Sequence, residues 1–146
     1  MKVSTKGRYA IRLMIDIGIQ NNGYVRLKDV AKRQEISIKY LEQIVGSLQK
    51  AGLLLSSRGA QGGYRLAKEP EEYTIGEILR ATEGSIAPVS CLDDEVNNCG
   101  RCHACATVDF WKGLYDVIND YLDSHNLAEL MEIEKNNLQS NIDYSI

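Results

Sequence analysis

Three short helical periods, followed at once by two apolar strands around a glycine-rich tip, constrain this chain more than any other feature. Few small folds place a hairpin directly after three helices. Tyr9, Ala10, Leu13, Met14 and Ile17 repeat at helical spacing and predict a first helix over about residues 6 to 20, with Asn21-Asn22-Gly23 as its stop. Leu27, Val30 and Ala31 predict a short second helix ending near Gln34. Ser37 then caps a third helix that runs to about Ala51 on Leu41, Ile44, Val45 and Leu48, and Gly52 is placed to take the left-handed conformation beyond its end. The pattern changes to Leu53-Leu54-Leu55, a tip reaching Gly63, and Tyr64-Arg65-Leu66 as the return strand. The expected fold is mainly α with a small β-hairpin, a winged helix-turn-helix whose third helix enters the major groove of DNA.

The remainder is organised differently. Thr74-Ile75-Gly76-Glu77 fits a reciprocal capping box and predicts a fourth helix to about Thr82. Residues 84–106 carry Gly, Pro, Asp, Asn and all four cysteines with no apolar period, which predicts a loop. From Asp109 onward, Phe110, Trp111, Leu114, Val117, Ile118, Tyr121 and Leu122 form a wide aromatic stripe at helical spacing. Little other apolar sequence is left in this half to cover that stripe, so a second copy of the same long helix is the expected partner, giving a homodimer. A shorter segment, Leu127 to about Ile133, follows, and Asn136 to Ile146 are expected to fray. The predicted organisation is a DNA-binding domain at 1–83, a cysteine-rich loop at 84–106, and a dimerisation helix with its tail at 107–146.

Net charge alone, −3 with an acidic isoelectric point, argues against a nucleic-acid partner. The average hides a polarity. Residues 1–68 hold 13 Lys and Arg against 4 Asp and Glu, a net of +9, whereas residues 69–146 hold 4 against 16, a net of −12. The basic half coincides with the predicted helices and hairpin, which makes double-stranded DNA the expected partner.

On the third helix, Lys39, Tyr40, Glu42, Gln43, Ser47 and Gln49 occupy the non-apolar positions and can present donors and acceptors to base edges. Gln43 suits adenine. Glu42 can accept from cytosine N4 but repels phosphate, so it is read as a specificity filter. Arg58, Gly59 and Gln61 lie in the hairpin tip, where small residues let backbone approach a duplex and an Arg can enter a narrow minor groove. Lys2, Lys6, Arg8, Arg26, Lys28 and Lys32 are candidate phosphate contacts.

The first residues contain no small-residue cleavage site, and no apolar run approaches the roughly 18 residues that span a bilayer, so a cytoplasmic location without membrane attachment is expected. In a reducing compartment, Cys91-x7-Cys99-x2-Cys102-x2-Cys105 reads as metal ligands or redox groups rather than as disulfides. Their neighbours Asp93, Asp94, Glu95, Asn97, Asn98 and Arg101 do not suit buried structural thiols. Either zinc or an iron-sulfur cluster fits such spacing. No Ser-His-Asp set, P-loop or dinucleotide fingerprint is present, and the chain is not read as an enzyme. A small electron-transfer protein using the winged helix only as scaffold is the reading from another class, and the basic half argues against it.

Ser4-Thr5-Lys6-Gly7-Arg8-Tyr9-Ala10, Ile36-Ser37-Ile38-Lys39-Tyr40-Leu41-Glu42-Gln43 and Arg58-Gly59-Ala60-Gln61-Gly62-Gly63-Tyr64 together resemble the Rrf2 (Rrf-two) family of winged-helix bacterial transcriptional regulators over about residues 1 to 130. The resemblance implies a homodimer whose long C-terminal helices cross, bound to imperfect palindromes near promoters. Cys91, Cys99 and Cys105 match the three-cysteine pattern of IscR-like members, which hold a [2Fe-2S] cluster, and of NsrR-like members, which sense nitric oxide. The resemblance thus implies a repressor sensing iron-sulfur, redox or nitric oxide status, with [2Fe-2S] the expected cofactor and [4Fe-4S] or zinc as alternatives. CymR-like members lack these cysteines and respond to cysteine metabolism through a partner enzyme. The fourth ligand departs from both cluster patterns: Val108 stands where IscR-like members have His, and Arg8 where NsrR-like members have Asp. Cys102 is the expected fourth ligand, with His103 or a carboxylate as alternatives.

Overall fold

The computed structural model describes residues 2–20 and 22–144, with the backbone alone described at Tyr144; Met1, Asn21 of the predicted helix stop, Ser145 and Ile146 lie outside the described residues. Helix α1 (Thr5–Gln20) forms because its apolar positions recur with no internal proline, and it runs through the middle of the molecule. Ala10, Leu13 and Met14 are fully buried. Helices α2 (Leu27–Gln34) and α3 (Ile38–Lys50) pack across it as the helix-turn-helix pair. Between them Glu35 adopts a left-handed φ of 54° and closes α2, and the Ser37 hydroxyl accepts the Tyr40 amide at 3.2 Å to start α3.

The hairpin pairs β1 (Leu54–Ser57) with β2 (Gly63–Leu66) antiparallel, Leu54 opposite Leu66 and Ser57 opposite Gly63. Leu53, expected at the start of the strand, is buried just ahead of it, where its carbonyl accepts both the Tyr73 hydroxyl at 2.7 Å and, more loosely, the Ala67 amide at 3.4 Å. Val25 adds an isolated bridge to Tyr64, with amide-to-carbonyl distances of 2.7 and 2.8 Å, so the hairpin is joined edge-on to the segment that opens α2. Gly63 makes that junction possible. Its φ is 150°, and a Cβ there would stand 2.3 Å from the Val25 carbonyl oxygen.

Helix α4 (Ile75–Glu83) starts at Thr74, whose hydroxyl accepts the Glu77 amide at 3.0 Å. The predicted box is only half made. Glu77 turns instead to Lys68, 2.9 Å away, because a cation is in reach and outcompetes a backbone amide for the carboxylate. The helix also continues one residue past the predicted end, to Glu83.

Helix α5 (Val108–Ser124) contains the predicted stripe and is fastened to α4 by Arg80, which pairs with Asp123 at 2.8 Å and donates to Asn119 at 2.7 Å. This hydrogen-bonded pairing holds the Asp123 carboxyl below its ordinary range.

The largest departure from expectation is helix α6 (Leu127–Tyr144), which is continuous through most of the segment expected to fray. Leu127 and Met131 anchor its first turns in the same core as α1, where Gly18 leaves room for the Met131 thioether. Once nucleated, a helix propagates at little cost per residue, and no Gly or Pro interrupts this stretch. Among the described residues, no helix is long and apolar enough to cross a membrane.

Tyr73 connects these parts. It is fully buried; its hydroxyl donates to the Leu53 carbonyl at 2.7 Å and accepts the Ala67 and Lys68 amides at 2.8 and 3.2 Å. Its own carbonyl takes the Leu127 amide at 3.0 Å, so one residue joins the base of the hairpin to the start of α6. Burial also pushes its phenol pKa upward. Tyr73→Phe leaves these buried groups without their partner, and denaturant unfolding is expected to show a loss of about 1–3 kcal/mol with an unchanged m-value.

Candidate nucleic-acid interface and cysteine loop

Helix α3 divides into two faces. Leu41, Ile44, Val45 and Leu48 point into the core, while Lys39, Glu42, Gln43, Gly46 and Lys50 share the opposite, solvent-exposed face. Gly46 was not singled out in the sequence, although glycine inside a helix costs about 1 kcal/mol. It lies in the middle of this outward face, with open space where a Cβ would be. Tyr40 is only partly available, since its ring meets Tyr9 edge-on with centroids 5.8 Å apart. Ser47 and Gln49 are engaged too: Ser47 accepts from Lys6 Nζ at 2.9 Å, and Gln49 donates to Ser56 of β1 at 2.8 Å.

At the hairpin tip, Arg58, Gly59 and Gln61 are exposed, and Gly59 takes a left-handed φ of 99°. Gly62 is buried beneath them, where a Cβ would stand 2.3 Å from the Ser57 carbonyl oxygen. The Arg26 guanidinium donates to the Ala60 carbonyl, which braces the tip against the start of α2. Of the other cations named from sequence, Lys2, Arg8, Lys28 and Lys32 are exposed, Arg8 within 3.4 Å of the Thr5 hydroxyl. Arg33, on the same helix as Lys28 and Lys32, is instead spent on the buried Asp16, 2.7 Å away.

The four cysteines are free thiols on the segment joining α4 to α5, which forms only the short turns Ser90–Leu92 and Cys102–Ala104. Cys91 and Cys102 are half-buried, Cys99 and Cys105 exposed. Cys105 lies just before α5, where hydrogen bonding with Thr107, side chain first, lowers its thiol pKa. Among the described residues, no three His, Cys, Asp or Glu side chains stand together as a metal site. The donors suit a soft metal by chemistry and number, but the loop has to close to bring them together. His125 ends α5 and pairs with Glu129 at 2.8 Å.

A packed helix-turn-helix, an outward α3 face and a braced hairpin define a winged-helix DNA-binding regulator. The Rrf2 family model, described as an iron-dependent transcriptional regulator, matches residues 3–133, and the chain belongs to that family. The chain is 38% identical to the HTH-type transcriptional regulator IscR of Aliivibrio salmonicida, over all of this chain and 88% of that protein. It is 41% identical to the HTH-type transcriptional regulator CymR of Bacillus subtilis, over 89% of each. The solved structure of B. subtilis CymR, the global cysteine regulator of that organism, superposes with a TM-score of 0.74 at 37% identity, covering 91% of this chain and 98% of that one. These relatives are transcriptional regulators, not enzymes.

Two substitutions separate reading from gripping. Glu42→Ala is expected to relax base preference at one position while leaving affinity for the preferred duplex within a few-fold. Arg58→Ala is expected to weaken all duplexes alike, by roughly tenfold, the scale of a lost charge-assisted contact. Binding to a panel of single-base variants of a selected site checks both, and a uniform loss for Glu42→Ala contradicts the filter role.

Proposed function

We propose that this chain is a homodimeric, cytoplasmic repressor that binds an imperfect palindrome and reports iron-sulfur, redox or nitric oxide status through its cysteine loop. The observation that carries the sensor part is the position of the thiols: all four lie on the single segment between the DNA-binding half and α5. In this reading α3 enters the major groove with Lys39, Glu42 and Gln43 toward base edges, and the tip bearing Arg58, Gly59 and Gln61 follows the minor groove. Lys2, Arg8, Lys28 and Lys32 meet phosphates, while Lys6, Arg26 and Tyr40 support the reading elements from behind. Gly46 lets the helix backbone come close to the groove floor.

The dimer part rests on α5. Phe110, Val117 and Tyr121 are 67%, 65% and 66% exposed, a large apolar area for one helix to leave in water. Crossing against a second α5 covers it and repeats the reading unit across a two-fold axis, as a palindrome requires. Val117→Asp combined with Tyr121→Asp is expected to yield a folded monomer in sedimentation, with DNA affinity reduced at least a hundredfold. A dimer that persists in this variant refutes α5 as the interface.

Cys91, Cys99 and Cys105, with Cys102 as the fourth donor, would hold the cluster, which supplies reversible redox chemistry and reactivity toward nitric oxide. The chain contributes Cys105, whose thiol pKa is lowered by hydrogen bonding with Thr107. After anaerobic purification, iron and sulfide are expected in equal amounts per chain, and Cys102→Ala is expected to lose most of both. Zinc without sulfide, or four free thiols, favours the second reading: a zinc or thiol-switch loop, or CymR-like control of cysteine metabolism. The 41% identity to CymR is what supports the last of these.

A further inference from the structure

Helix α1 begins without an acidic residue in its first turn, although four unpaired amides there favour an anion. The anion comes from the far end of α4. Glu83 Oε1 accepts the Ser4 amide at 3.1 Å, the Ser4 hydroxyl, and the Gly7 amide at 3.0 Å. Gly7 is the complementary half of this joint, since a Cβ there would stand 2.2 Å from the same carboxylate oxygen. One residue earlier, Lys6 reaches back to Ser47 of the reading helix at 2.9 Å. One residue after Glu83, Gly84 at φ 79° opens the cysteine loop.

We propose that Glu83 is a positioning residue for DNA binding. Its carboxylate fixes the first turn of α1, that turn holds Lys6 on Ser47, and the placement of α3 follows. Because Glu83 is the last helical residue before the loop, the same contact carries the state of the cysteines to the reading helix, a part that rests on the sensor reading above. Lys6 is then a strut rather than a phosphate contact.

The test uses the full-length protein and a duplex that the wild type selects from a random pool, with affinity measured by fluorescence anisotropy across a salt series and thermal stability recorded in parallel. Glu83→Gln is expected to weaken binding about tenfold, within the usual range for coupled sites. Lys6→Met should do the same, and the double variant should lose no more than either alone. Gly7→Ala, which displaces the carboxylate without removing it, should reproduce Glu83→Gln if the latter folds poorly. The slope of log affinity against log salt is expected to stay at the wild-type value in Lys6→Met; a slope shallower by about 0.9 makes Lys6 a phosphate contact and overturns the relay. Wild-type affinity in folded Glu83→Gln and Gly7→Ala overturns the positioning role. The loop arm compares Cys91, Cys99 and Cys105 all replaced by Ser, with and without Glu83→Gln. If the cysteine replacements change affinity equally in both backgrounds, the loop does not act through Glu83. If they change nothing in the wild-type background, the sensor reading fails while the positioning role is judged on affinity alone.

Discussion

The structure depends on the burial of α1 on nearly every side. The helix meets α2, α3, α4, α6 and β2, and its two glycines mark where neighbours come closest: Gly7 admits the Glu83 carboxylate and Gly18 the Met131 side chain. Only Thr5, Arg8 and Arg12 keep this helix open to solvent, and its packed faces shift in discrete steps rather than by continuous deformation, since protein interiors are close-packed. Asp16 shows how firmly it is held. Although its side chain is only 3% exposed, it receives Arg33 and Gln34 from the end of α2, and the charge is compensated where it lies.

Around this helix the polar contacts divide into those that hold the fold and those left for a partner. Tyr73, Asp16 and Arg80 are satisfied within the chain. Lys39, Glu42 and Gln43 face outward on α3, and the hairpin is held from behind by Arg26 at its tip and by Gln49 at Ser56 of β1. Bracing of this kind reduces the ordering cost of any binding at these elements, because they are already in place before a partner arrives. The acidic half sits on the other elements, α4 to α6 and the loop, so the charge polarity of the sequence becomes a division between the winged-helix part and the rest of the chain.

Much of this was legible in the sequence. The α3 cap at Ser37, the core stripe of Leu41, Ile44, Val45 and Leu48, and the hairpin with its glycine tip are local patterns, and local patterns survive into the fold unless packing opposes them. Lys6, Arg26 and Tyr40 were legible as residues of a binding region but not as internal supports. Their partners, Ser47, Ala60 and Tyr9, lie 41, 34 and 31 positions away, and nothing in the intervening chain announces those meetings. Gly46 carried a signal that was available, a glycine at an exposed mid-helix position, and its meaning emerges only once the outward face is known.

Composition and periodicity alone determined that the chain would build helices and a hairpin, gather its cations in the first 68 residues, and string its thiols along a segment unable to form regular structure. Those outcomes depend on interactions within a few turns of chain. Tertiary structure decided the rest. It extended α6 through a polar tail by anchoring Leu127 and Met131 in the core, spent Glu77 on Lys68 rather than on its own cap, and set Glu83 at the start of α1 from 76 residues away. Each of these is a competition between local and distant partners for the same group, and a sequence read along its length shows only the local competitor.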